Sequence, residues 1–180
     1  MKMKKFLTLG LAAIMAVSMV GCVNQHPEEA NGTAASSDDV RIVATSPATA
    51  DICDRLELDL VGVCSSTLST IPERYKDVTQ IGTAMSPDLQ ILKSLKPDYV
   101  LSPSSLQSDL QPKYESIGVN SIFLNLKSVE GMYASISDLG QKFDREEQAQ
   151  ALVDEFNAFM EEYKKKNEGK ESPRVLVLMG

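Results

Sequence analysis

Arg41-Ile42-Val43-Ala44-Thr45-Ser46-Pro47-Ala48-Thr49-Ala50-Asp51-Ile52-Cys53-Asp54-Arg55-Leu56-Glu57-Leu58-Asp59-Leu60-Val61-Gly62-Val63 decides the fold class. Arg41–Thr45 reads as a short apolar strand. Ser46 then offers a hydroxyl to an orphan helix N–H, and Pro47 suits the first helical position, where no N–H is needed. The pattern predicts a helix through about Leu58. Leu60–Cys64 predicts a second strand, near-continuously apolar, as in a sheet buried on both faces.

The same alternation continues downstream. Ser65–Thr70 is a hydroxyl-rich loop, and Pro72-Glu73-Arg74-Tyr75 suggests one turn of helix within Ile71–Asp77. Gln80–Gly82 is briefly extended. Ile81-Gly82-Thr83-Ala84-Met85-Ser86-Pro87-Asp88-Leu89 then reads as a strand end, a loop and a helix start. In this reading Ser86 is the N-cap, Pro87 opens the helix and Asp88 places negative charge in its first turn. The apolar positions Leu89, Ile91, Leu92 and Leu95 stop at Lys96-Pro97. Further strands are predicted over Asp98–Ser102 and Asn120–Asn125. Helices are predicted over Ser105–Ile117, interrupted at Pro112, and over Ser128–Phe143.

These elements predict an α/β, three-layer sandwich with a mainly parallel sheet. Ligands in such sheets bind beyond the carboxyl ends of the strands. That edge is predicted to carry Thr45-Ser46, Cys64–Thr70, Thr83–Ser86 and Ser102–Ser105. It is rich in hydroxyls, with Met85 among them. No Gly-rich phosphate fingerprint follows Thr45, which disfavours a dinucleotide site. Local sequence leaves Met85 two roles, a soft ligand facing a cleft or a hydrophobic staple beside the helix start. The general use of Met as core filler favours the staple.

Asp144–Glu168 is the longest predicted helix. Asp144 is its candidate cap, Glu146 and Glu147 suit the first turn, and Lys164–Lys166 suit the last, before Gly169. Ala149, Leu152, Val153, Phe156, Met160 and Tyr163 recur on one face. About 24 residues span roughly 36 Å, which suits a strut between two lobes or a surface helix that overhangs its sheet. Pro173–Gly180 reads as a new strand, either a terminal edge strand or the first strand of a truncated second lobe.

The chain has 180 residues, 43% hydrophobic, with no Trp, enough for one domain with a sizeable core. Residues 1–21 form a leader: the basic Met1–Lys5, the apolar Phe6–Val20 and then Met19-Val20-Gly21-Cys22, which resembles a lipobox. Diacylation of Cys22 would hold the body at a membrane surface through a lipid anchor. Loss of Lys2, Lys4 and Lys5 with the leader takes the net charge from −7 to −10, which argues against nucleic acid as a partner. Residues 22–40 are polar and low in bulk, and read as a flexible tether. His26, the chain's single histidine, lies in it and reads as a solvated polar residue. Cys53 and Cys64 lack metal-ligand spacing. They read as buried free thiols, although an exported setting also permits a disulfide.

The lipobox, the tether, Arg41–Val63, the segment IPERYKDVTQIGTAMSPDLQILKSLKPDYVLS and the long helix together resemble the iron-chelate substrate-binding lipoproteins of ABC importers. Among these, the chain resembles the haem-receptor lipoproteins of Gram-positive bacteria. The resemblance covers about Arg41 to Gly180, with MSPDL and KSLKPDYVLS its most specific parts. It implies two α/β lobes joined by a long helix, with ligand between them. Residues 41–143 would be the N-terminal ligand-binding lobe, residues 144–169 the interlobe helix, and residues 173–180 the first strand of the second lobe. It implies haem as transported ligand, an ABC permease as partner, and haem-donating cell-surface proteins upstream. It also implies a membrane-anchored position on the extracytoplasmic face.

Residue by residue, the resemblance aligns Met85 with an axial ligand of haem iron, which reverses the local preference for a staple. A thioether is a soft donor used on haem iron. The family's second axial ligand is a His of the C-terminal lobe, which has no counterpart here beyond His26. Propionate contacts map to Pro47-Ala48 and to Ser66-Thr67-Leu68, and the acidic permease contact to Glu73. The alternative within the same class is a siderophore or cobalamin receptor. A remote alternative of another class is an exported thiol oxidoreductase using Cys53 and Cys64, disfavoured by the lack of C-x-x-C or of a Ser/His/Asp set.

Overall fold

The structure, a computed structural model, describes residues 40–171 and 173–177. The leader, the lipobox with Cys22, and the tether with His26 lie outside the described residues, as do Ser172 and residues 178–180. The order is β1 (Ile42–Ala44), α1 (Pro47–Arg55), β2 (Leu60–Val63), β3 (Gly82–Thr83), β4 (Ser86–Pro87), α2 (Leu89–Leu95), β5 (Tyr99–Pro103), α3 (Gln107–Ser116), β6 (Ser121–Leu124), α4 (Val129–Lys142) and α5 (Glu146–Asn167). Short 3₁₀ turns at Glu73–Tyr75 and Ser104–Leu106 complete it.

The main sheet has the order β2-β1-β5-β6, and every pairing in it is parallel. Alternation along the strands sends side chains to two faces. Ile42, Ala44, Leu60, Leu101 and Leu124 pack with Ala50, Cys53 and Leu56 of α1, Ile136 and Leu139 of α4, and Ala149 and Leu152 of α5. Val43 and Val100 face the other way, against Leu92 of α2 and Leu110 and Tyr114 of α3. This is the predicted three-layer α/β sandwich.

The β1–β2 register shifts by one residue, so that Ile42 pairs with Leu60 but Val43 with Gly62. Gly62 thereby meets the α2 layer at close range. A Cβ there would lie 2.7 Å from Leu95 Cδ1 and 3.0 Å from Ile81 Cγ2. The Ser46 cap is as predicted: its Oγ accepts from Thr49 N–H at 3.1 Å, Thr49 Oγ1 accepts from Ser46 N–H at 3.0 Å, and Pro47 opens α1. Ser128 caps α4 by accepting from Gly131 N–H at 3.0 Å.

Four local readings are corrected. The helix after Met85 starts at Leu89, and its cap is Asp88, whose Oδ1 accepts from Gln90 N–H at 2.9 Å and Ile91 N–H at 3.0 Å. Ser86 and Pro87 instead form β4, antiparallel to β3. An Asp carboxylate caps as well as a Ser hydroxyl, and the hairpin already engages the Ser86-Pro87 backbone. Pro112 does not interrupt α3. It lies exposed within the helix, while Leu110 and Tyr114 anchor the opposite face. Asp144 does not cap α5 but adopts φ 60° between α4 and α5, and Arg145 precedes α5 without a side-chain cap. Finally, Pro173–Val177 belong to no strand, and Val175, Leu176 and Val177 are exposed.

The helix α5 has 22 residues, roughly 33 Å, against 14 residues, roughly 21 Å, for α4. Tyr133, near the start of α4, stacks on Phe156 at 6.2 Å. The last turns of α5 therefore project past the start of α4, and with it past the carboxyl edge of the sheet. Tyr163 on that overhang is exposed, as is Phe159 just before it.

The Asp88 cap is testable. Asp88→Ala is expected to lower stability by about 1 kcal/mol, read as a lower urea midpoint at unchanged slope. Ser86→Ala should leave the midpoint close to wild type. The reverse ranking would restore Ser86 as the cap.

Candidate functional site

With all four strands parallel, every carboxyl end lies on one edge. The chain leaves β1 through α1 to β2 on one side and returns through α2 to β5 on the other. The topological switch point, where open α/β sheets bind ligands, is therefore between β1 and β5. Here it is occupied by a buried relay. Thr45 Oγ1 lies 2.7 Å from Ser102 Oγ and donates to the Leu101 carbonyl at 3.1 Å. Ser102 Oγ lies 3.2 Å from the Tyr114 hydroxyl. Burial pushes the Tyr114 phenol up, with the Ser102 and Thr45 hydroxyls acting the other way. These groups satisfy one another and close the base of the edge. A ligand would have to sit above them, on the loops.

The loops divide the predicted residues sharply. At Pro47-Ala48, Pro47 has no N–H, and the capping box engages the N–H groups of Ser46 and Thr49. Ala48, exposed, is left to supply the open first-turn donor. In the next loop Ser66 is half-buried, and its Oγ accepts from Leu68 N–H at 3.3 Å and Ser69 N–H at 3.1 Å. Its hydroxyl thus curls the loop, as in other local side-chain-to-backbone turns. Thr67 is exposed, and Leu68 is 96% exposed.

Met85 reaches the same edge by a parallel run beside β2. Gln80 pairs with Val63, Ile81 N–H donates to the Val63 carbonyl at 2.9 Å, and Ser65 N–H donates to the Gly82 carbonyl at 2.8 Å. Residues after 81 therefore advance past the end of β2 alongside Ser65–Leu68. Gly82, at φ 90°, then starts the β3–β4 hairpin, where a Cβ would lie 2.9 Å from the Ser86 carbonyl oxygen. Ala84 and Met85 form its tip. Met85 is 76% exposed, whereas Pro87 is the buried side chain of the hairpin. A staple would be buried, so the staple role falls. The thioether and Leu68 stand on adjacent stretches past the same sheet edge.

Glu73 is not brought to this edge. Its carboxylate pairs with Lys76 Nζ at 2.6 Å, both exposed. The turn that carries it is tied to residues before β2, through Tyr75 OH to the Leu58 carbonyl at 2.6 Å and Arg74 to Asp59 at 2.7 Å. That is the amino edge of the sheet.

Sequence reasoning missed the loop after β6 as part of the carboxyl edge. There Asn125 Oδ1 accepts from Lys127 N–H at 3.2 Å, and Asn125 N–H donates to Ser135 Oγ at 2.9 Å. The signal was available, because a fourth parallel strand must end on the same edge. Tyr114 was also missed. Its spacing of four from Leu110 marks the buried face of α3, but only pairing of β1 with β5 brings it below Thr45 and Ser102.

Residues 42–180 match the periplasmic binding protein family. The chain belongs to this family. It is 36% identical, over its whole length, to the high-affinity heme uptake system protein IsdE of Staphylococcus aureus (strain Newman), and spans about 60% of that relative. Among solved structures, S. aureus IsdE complexed with heme aligns with 74% of this chain and 52% of its own, at 36% identity and TM-score 0.70. An ABC transporter substrate-binding protein from Listeria monocytogenes EGD-e aligns with 73% of this chain and 51% of its own, at 39% identity and TM-score 0.70.

Among the described residues of this periplasmic-binding-protein chain, the two thiols, Cys53 and Cys64, are both free and buried. Burial pushes Cys53 up to about 12, with the nearby Asp54 charge adding to it, and pushes Cys64 up to about 11. A redox thiol needs an accessible thiolate near neutral pH, and neither cysteine provides one. Both should resist iodoacetamide at pH 7.5 in the folded chain and react fully in urea, as read by intact mass. The sign of the pH dependence follows. An unfolded thiol ionises near 9, so the stability contributed by neutral burial is complete below that pH. It is lost as pH rises towards 11 and 12. Rapid native labelling at pH 7.5 would restore the oxidoreductase reading.

Proposed function

We propose that this chain is the ligand-binding part of the substrate-binding component of an ABC importer, and that it captures haem for delivery to a permease. It is a binding protein with no reaction of its own. The observation that carries the reading is Met85, a soft donor 76% exposed at the tip of a hairpin beyond the ligand edge. Around it stand the exposed Leu68 and the Ser65–Thr70 hydroxyls. The loops 45–48, 64–70 and 83–88 contain no Arg or Trp, which favours an iron porphyrin over a siderophore gripped by such side chains.

Each residue then has a role. Met85 supplies one axial donor to haem iron. Leu68 offers apolar surface to the macrocycle. The Ala48 N–H, with Thr67 on the neighbouring loop, meets the propionates. Diacylated Cys22 holds the protein at the extracytoplasmic membrane surface. The overhanging end of α5 leads to a second lobe begun by residues 173–180. Similarity to IsdE over the whole chain supports this assignment.

The test is an optical haem titration of the full chain beside Met85→Ala. A saturable Soret shift is expected for wild type, with affinity reduced about tenfold or more in the variant, equivalent to ~1.4 kcal/mol or above. An equal shift in both proteins would remove Met85 from the iron. A siderophore that quenches tyrosine fluorescence saturably, where haem gives no shift, would move the ligand to the alternative class.

A further inference from the structure

We propose that Met85 is a reversible oxidation site, at which a peroxide-class oxidant forms the sulfoxide and abolishes iron ligation without unfolding the chain. The inference rests on the reading of Met85 as iron ligand and adds a regulatory state to it.

Three observations carry it. First, access: the methionines among the described residues are Met85, Met132 and Met160, and only Met85 is exposed. Met132 packs against the main core, and Met160 is half-buried in α5. Second, the fold does not use the Met85 side chain. The hairpin is held by the β3–β4 pairing, by buried Pro87, and by backbone bonds from Ser65 N–H to the Gly82 carbonyl and from Asp88 N–H to the Ile81 carbonyl at 2.7 Å. Oxidation normally damages proteins by placing a polar group in a core. At Met85 the new oxygen points into water, so fold and ligation are separable. Third, the chemistry reverses the donor property that the site needs. The sulfur lone pair attacks one peroxide oxygen, an S–O bond forms and the O–O bond breaks. The departing hydroxide takes up a proton and leaves as water. Sulfur loses two electrons and peroxide gains them. The product presents a harder, polar oxygen where a soft thioether stood.

The experiment treats the haem-free full chain with dilute hydrogen peroxide and follows sulfoxide formation by peptide mapping. Met85 should oxidise several-fold faster than Met132 and Met160. The singly oxidised chain should keep its urea midpoint and show its haem affinity reduced about tenfold or more, as in Met85→Ala. Methionine sulfoxide reductases of both stereochemical types, acting together, should restore it. Met85→Leu should show weak haem binding that peroxide leaves unchanged. Equal oxidation rates, a lowered midpoint, or an undiminished Soret shift after Met85 oxidation would each overturn the switch while the ligand reading stands. Absence of a Soret shift in the untreated chain would overturn the ligand reading itself, and the switch with it.

Discussion

Parallel hydrogen bonding on both sides of β1 is the constraint from which the other features follow. Parallel neighbours cannot be joined by tight turns, so each connection must cross a face of the sheet. Those crossovers place α1 and α4 on one side and α2 and α3 on the other, and bury β1 completely. They also gather every strand's carboxyl end on one edge. The loops that leave those ends need no direct contact with one another to be neighbours; the sheet sets their spacing at about 4.8 Å per strand. Thr45 and Ser102 mark the cost of this arrangement. Hydroxyls buried at the switch point require partners, and they find them in each other, the Leu101 carbonyl and Tyr114.

The hairpin solves a different problem. A Met held in a core would be fixed by packing, and one on a long loop would be free. Met85 is neither, because the stretch before it is zipped to the end of β2 and the stretch after it is anchored by the Asp88 cap. The positive φ of Gly82 lets the backbone turn there, with the Ser86 carbonyl too close for any side chain. The thioether is presented on a short, doubly tethered tip, whose backbone keeps little conformational entropy.

Among the described residues, exposed large apolar side chains fall into two groups. Leu68, Met85 and Val129 stand at the carboxyl edge, whereas Phe159, Tyr163 and Val175–Val177 lie at the far end of α5 and beyond it. The ion pairs, by contrast, carry little of the organisation. Glu73–Lys76, Glu161–Lys164 and Glu162–Lys166 are all exposed local pairs, and such pairs contribute on the order of 0–1 kcal/mol. The pair between Arg55 of α1 and Glu155 of α5 ties distant helices.

The layered α/β architecture was legible in the sequence, because apolar strands such as Leu60–Val63 alternate with capped amphipathic helices such as Pro47–Arg55. Those signals are local: a Ser-Pro start needs only the next three residues to be understood. The same local logic failed at Ser86-Pro87, since a second Ser-Pro pair has identical capping chemistry but its backbone is already paired to Gly82-Thr83. It failed at Asp144 for a similar reason, because a residue between two packed helices answers to their crossing and not to its own cap preference. Sequence by itself determined which residue types were available at the carboxyl edge: hydroxyls, Leu68 and the sulfurs of Cys64 and Met85. Tertiary structure alone decided which of them are spent internally, as Thr45, Ser46, Ser66 and Ser102 are, and which remain open, as Ala48, Thr67, Leu68 and Met85 do. Hydrogen-bond satisfaction and exposure depend on neighbours brought from elsewhere in the chain, and no local pattern records them.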